Sequence, residues 1–219
     1  MRLVLVRHAE AEQSARGRCY GSLDVGLAAG GRAQAEALAA VLEPEPVEAV
    51  VSSPRRRAVD TATPIAGRHG LEVEIVPDLR ELDFGELEGR TYDEIADSLP
   101  ELYAAWMTHP TRVRFPGGEC YADLRARSVE AVAVLRARFR TETVVVVAHG
   151  GVVRSVLADV LGLPDERIFR LAVEPASLTT VEWLGDEPIV TAINRRVEPA
   201  PRRAPRRAAA RTGGSRAAC

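Results

Sequence analysis

Residues 143–149 read TVVVVAH. Four valines in a row leave no polar face for solvent. β-branched side chains favour an extended chain. A strand that is apolar on both sides belongs in the middle of a parallel sheet, with helices covering both faces. This one run therefore points to an α/β fold. A second apolar run, LVLV at 3–6, leads into Arg7 and His8, much as the valines lead into His149, Gly150 and Gly151. The chain has four histidines, and two of them end its two most apolar short runs.

The rest of the chain alternates between the two periods. Residues 2–6 read as a strand. In 31–43, Ala35, Leu38 and Leu42 recur at helical spacing. Residues 47–53 are a second strand, after which Ser53 and Pro54 look like N-cap and first residue of a helix running to about Gly67. Residues 71–77 alternate as a third strand. TYDE at 91–94 is a capping box, and 100–107 and 123–138 continue in helical pattern. The strand 143–149 is followed by a helix over 150–162, closed by Gly162. The segments 177–184 and 188–194 form a hairpin turning at GDE. Strands alternating with helices predict an α/β three-layer sandwich: a largely parallel central sheet with helices on both faces.

One domain, residues 1–197, accounts for this pattern. From 198 to 219 the composition collapses to Pro, Arg, Ala, Gly and Ser, which predicts a disordered tail. All 29 basic residues are arginine, and six lie in the last 21 positions, which carry no acid. The body is left with 23 basic residues against 31 acids, a net charge of −8. The tail is read as solubilising, with nucleic acid disfavoured as a partner. Cys19, Cys120 and Cys219 lack CxxC spacing, which argues against a disulfide framework or a zinc site. No apolar stretch approaches the roughly 20 residues of a membrane span. A cytoplasmic location, with no membrane partner, is expected.

Ligands of open parallel sheets bind beyond the carboxyl ends of the strands. Arg7 and His8, Ser52 to Arg57, and His149 with Gly150 all leave strands at such ends. Arginine forks suit phosphate oxygens. A neutral imidazole can attack phosphorus, and a glycine-opened helix lets backbone N–H groups approach an anion. Two arginines near His8 disfavour its protonated form.

These residues carry a resemblance to the histidine phosphatase superfamily, also called phosphoglycerate mutase-like. LVRHAE resembles its nucleophile motif. SSPRRRAVDTA resembles its second block, with the arginine at Arg57. LRELDFGELEGRTYDEI resembles its third, with the acid at Glu81. VVVAHGG resembles its second histidine block. The four fall in family order between residues 3 and 151. The resemblance implies that His8 is the nucleophile, that Arg7, Arg57, His149 and Gly150 bind the phosphoryl group, and that Glu81 is the general acid. It implies no metal or other cofactor. Where the family often has RHGET and then Asn, this chain has Ala9, Ala11 and Ser14, so Ser14 is only a candidate substrate contact. RCYGSLDVGLAAGG at 18–31 is similar to the loop after the nucleophile in α-ribazole phosphatases, which makes Tyr20 and Gly21 substrate-binding candidates.

The resemblance implies a phosphatase acting on a small-molecule phosphate ester. Two alternatives stand beside it: a phosphoglycerate mutase, and a non-catalytic phospho-ligand binder on the same fold. The 67 residues between Glu81 and His149 are few beside the mutases, whose longer segment helps to close the site. A second copy of the chain is admitted as a partner. Arg55, Arg56, His69 and His109 are read as ordinary surface or loop residues, and Cys19 as a candidate pocket residue.

Overall fold

The computed structural model describes residues 1–197; the expected disordered tail lies outside the described residues. Six strands form one sheet: β1 (Arg2–Arg7), β2 (Val47–Ser52), β3 (Val73–Ile75), β4 (Thr143–Ala148), β5 (Ser177–Leu184) and β6 (Glu187–Arg196), in the order β3-β2-β4-β1-β5-β6. β3, β2, β4 and β1 run parallel. β5 is antiparallel to both β1 and β6, which makes the predicted closing hairpin.

Among the described residues six α-helices accompany the sheet: α1 (Ala29–Leu42), α2 (Arg56–His69), α3 (Tyr92–Ser98), α4 (Pro100–Thr108), α5 (Tyr121–Arg138) and α6 (Gly150–Val160). The pleat of the central strands divides their side chains between two cores. Leu3, Leu5, Val144 and Val146 pack with α5 and α6, whereas Val4, Val6, Val145 and Val147 pack with α1 and α2. All six residues of β4 are buried, as its composition requires. The three-layer sandwich is therefore the observed architecture. A third core gathers Cys19, Leu87, Ile95, Trp106, Val113 and Phe115 under α3 and α4, beside the main sheet.

The topology determines where a ligand can sit. β1 is followed by α1 on one face, and its neighbour β4 by α6 on the other. Where adjacent parallel strands send their chains to opposite faces, a crevice opens beyond their carboxyl ends.

Two element boundaries depart from expectation. Ser53 does not cap α2: the helix begins at Arg56, with Arg55 at the N-cap and no side-chain cap bond. The Ser53 N–H instead continues the ladder to the Val147 carbonyl at 3.0 Å, and its hydroxyl is engaged elsewhere. β3 is three residues long rather than seven. The capping box at Thr91 is formed by both of its hydrogen bonds, and Gly162 adopts a left-handed φ of 61° just past α6.

Candidate active site

The register of β1 on β4 builds the centre of the site. Arg7 is paired with Ala148, so the next residues, His8 and His149, leave the sheet side by side. The His8 N–H donates to the Ala148 carbonyl at 2.9 Å, and the two imidazoles meet edge to face with centroids 5.2 Å apart. Both residues are buried. On the other side of β4, Ser53 brings its Oγ to 2.7 Å from His149 Nε2.

His8 Nδ1 lies 2.8 Å from the Ala9 carbonyl oxygen. A carbonyl can only accept, so Nδ1 carries the proton and Nε2 of the neutral ring keeps its lone pair. Burial first, then the charges of Arg57 and Arg7, push the His8 pKa down to about 3. The expected neutral imidazole is found, but desolvation contributes more to it than the arginines. His149 is held well below its ordinary value by burial, then by Arg57, His8, Arg55 and Arg7.

Arg57 is completely buried. Its terminal nitrogens donate to the carbonyls of Leu23, Tyr20 and Gly21 at 2.8–3.0 Å, and its guanidinium stacks on the Tyr20 ring at 5.1 Å. The residue thus ties the loop after His8 to α2, a duty the motif alone did not show. Gly21 is needed there, since a Cβ on it would lie 1.7 Å from the Leu82 carbonyl oxygen. Arg7 is half-buried and donates to the Val173 carbonyl at 2.6 Å. Among the described residues, the Nε atoms of Arg7, Arg55 and Arg57, and Nδ1 of His149, are buried without a hydrogen-bond partner. Three of these are guanidinium donors, whose positive charge suits an anion.

Glu81 comes from the stretch after β3. Its carboxylate accepts from its neighbour Leu82 N–H at 2.9 Å and from Gly151 N–H at 3.2 Å, at the start of α6. A Cβ on Gly151 would fall 2.3 Å from Glu81 Oε1, so a glycine here is what admits the acid. Arg7, His8, Tyr20, Arg57 and Glu81 share the wall of one pocket of about 140 Å³, with Cys19 also in the wall. Asp83, Glu86 and Glu88 are outside that wall. Glu88 is occupied by the N–H groups of Ser22, Leu23 and Phe84.

Some assignments come out differently. Ser14 is exposed on a short 3-10 turn and lines neither the His8 pocket nor the larger opening beside it. Arg56 is a surface residue paired with Asp60 at 3.6 Å, but Arg55 is half-buried and its charge acts on His149. Sequence reasoning missed Ser53 as a partner of His149, and it missed Arg154, one helical turn beyond Gly150. The turn spacing alone could have flagged Arg154. Among the described residues, no group of three or more His, Cys, Asp or Glu is placed to hold a metal ion, and no helix is long and apolar enough to cross a membrane.

A neutral imidazole with Nε2 unprotonated, a second histidine, and arginines at the ends of parallel strands define a class of protein equipped for phosphoryl transfer. The family model of the histidine phosphatase superfamily, branch 1, matches residues 3–196, and the chain belongs to that superfamily. Phosphoserine phosphatase 1 of Hydrogenobacter thermophilus is 32% identical over 194 residues, covering 89% of this chain and 92% of that protein. The solved structure of a mycobacterial glucosyl-3-phosphoglycerate phosphatase superposes with a TM-score of 0.80 at 33% identity, over 89% of this chain and 98% of that one. That of the α-ribazole phosphatase from Shigella flexneri gives 0.83 at 27% identity, over 90% and 98%. All three are named phosphatases, and this chain is a phosphatase of the same superfamily.

Proposed function

We propose that the protein hydrolyses a small-molecule phosphate monoester in two displacements through a phosphohistidine on His8. The observation that carries this is the hydrogen bond from His8 Nδ1 to the Ala9 carbonyl, which leaves Nε2 as the nucleophile inside a cationic pocket. In the first step Nε2 attacks phosphorus and the bond to the ester oxygen breaks. Glu81 gives a proton to the leaving alcohol. In the second step the Glu81 carboxylate takes a proton from water, the oxygen attacks phosphorus, and the N–P bond breaks to release inorganic phosphate. Arg7, Arg57 and His149, with the start of α6 at Gly150, surround the transferring group and stabilise its developing charge. Tyr20 and Gly21 shape the loop wall beside it.

The named relatives act on three different esters, so their names leave the substrate open. The similarity of the 18–31 loop to α-ribazole phosphatases keeps α-ribazole 5′-phosphate among the candidates. His8→Ala should abolish turnover, and an acid-labile phosphate should be trapped on the wild-type peptide carrying His8. Full activity in His8→Ala would remove the nucleophile assignment. With 3-phosphoglycerate and catalytic 2,3-bisphosphoglycerate, phosphate release should outrun formation of 2-phosphoglycerate.

A further inference from the structure

Two larger cavities share lining residues with the His8 pocket, through His8 and Tyr20 or through Glu81. One, of about 530 Å³, is lined by Glu10, Glu12 and Arg16 and does not reach Glu81. The other, of about 470 Å³, shares Glu81, Phe84 and Tyr92 with the His8 pocket. An alcohol protonated by Glu81 leaves on the side of Glu81. The second opening is therefore the seat of the leaving group.

Two features give that seat a chemistry. The first is an aromatic wall. Phe84, Tyr92 and Trp106 hold one another, with ring centroids 5.7 Å apart for Phe84–Trp106 and 5.5 Å for Tyr92–Trp106. Tyr92, Met107 and Phe169 line the same opening while 40%, 50% and 58% exposed. Large apolar side chains gathered in the open around one cleft mark a binding surface. The second feature is Arg154. Its Nε donates to the Leu171 carbonyl at 3.1 Å and its guanidinium sits over the Phe169 ring at 5.5 Å. Its terminal nitrogens have no hydrogen bond or ion pair among the described residues. A Cβ built on Gly150 would lie 3.0 Å from Arg154 Nη1 and 3.6 Å from Arg7 Nε, so the two cations face one corner. Burial and Arg7 both disfavour the charge on Arg154. A half-buried, pre-positioned guanidinium beside another cation is poised for an anion.

Resting on the phosphatase reading, we propose that the substrate's alcohol carries a carboxylate close to the ester oxygen, held by Arg154, and a bulky ring or apolar body seated on the Phe84–Tyr92–Trp106 wall, which ranks such an ester above α-ribazole 5′-phosphate, a candidate with no carboxylate. Arg154 is thus a specificity-determining residue. The acid-lined opening repels the same carboxylate, so the two openings orient the substrate.

The test compares matched esters on each preparation, so that a partly unfolded fraction cancels. Phosphoserine and phosphoethanolamine differ by the carboxylate; benzyl and ethyl phosphate differ by the ring. Wild type should favour the first of each pair in kcat/KM. Arg154→Met should lower the carboxylate preference by about tenfold or more, and Arg154→Lys should restore part of it. Trp106→Ala should lower the preference for benzyl over ethyl phosphate. Equal losses on phosphoserine and phosphoethanolamine would place Arg154 on the phosphoryl group and overturn its assignment. An unchanged ring preference in Trp106→Ala would reduce the wall to core packing. Turnover of p-nitrophenyl phosphate separates the two levels: its absence in wild type overturns the phosphatase reading itself.

Discussion

Replacing His8 with glutamine should flatten the acid sensitivity of the fold. In the native protein His8 is neutral, with its pKa at about 3, against 6.5 for an ordinary histidine. Below pH 6.5 the unfolded chain therefore binds a proton that the folded chain refuses. Stability falls as pH drops through that window and goes on falling toward about 3. Each pH unit inside the window removes about 1.4 kcal/mol per such histidine. Between pH 7.5 and 4.5 the loss attributable to His8 integrates to roughly 2.7 kcal/mol. His149 adds a loss of the same sign, but it remains in the variant with burial and Arg57, the two largest causes of its lowered pKa, in place, so most of that loss cancels in the comparison. The assay is urea unfolding of wild type and His8→Gln at both pH values. The variant should lose about 2.7 kcal/mol less than wild type over the interval. Parallel losses, within about 0.5 kcal/mol, would show that the native imidazole is not held neutral.

Arg57→Met should lower stability by about 3 kcal/mol, because three loop carbonyls lose their donor at once; differential scanning calorimetry should show the melting temperature falling by roughly 6–12 °C, and an unchanged value would mean that the loop does not depend on Arg57. Glu81→Gln should slow hydrolysis of alkyl phosphates by about 10²–10⁴-fold, and that of p-nitrophenyl phosphate much less, since nitrophenolate leaves without a proton. Equal losses on both would give the acid's role to another group. Gly151→Ala should imitate that selectivity, by about 100-fold on alkyl esters, because its Cβ occupies the space of the Glu81 carboxylate; steady-state kinetics on the two ester types decides it. Activity should survive prolonged EDTA treatment, and a loss reversed by a divalent metal would contradict the metal-free steps.

The parts of this molecule that could be read from its sequence are those in which one segment decides its own environment. β4 is apolar on both faces, so its central place follows from its residues alone. His8 and His149 are the residues at which two such strands stop. Thr91 and Glu94 close a cap within four positions. What could not be read depends on distant segments meeting. Ser53 satisfies a capping pattern, yet its hydroxyl is taken by His149, 96 residues away. Arg57 matches a phosphate-binding motif, yet the pairing of its fork with three carbonyls depends on how the 20–23 loop crosses α2. Phe84, Tyr92 and Trp106 share no period, and only the packing of α3 and α4 beside the sheet turns them into a wall.

The adjacency of His8 and His149 on paired strands also says when this chain can begin to do chemistry. The two residues are 141 positions apart, and nothing but the β1–β4 register brings them together. During synthesis His8 emerges well before His149, yet it has neither its buried setting nor its partner until β4 has been made and has inserted beside β1. Such long-range parallel pairing forms slowly. A stalled or truncated chain that ends before residue 149 holds a histidine without a catalyst. Appearance of turnover in a ribosome-release time course would therefore report closure of the central sheet, and could serve as a clock for folding.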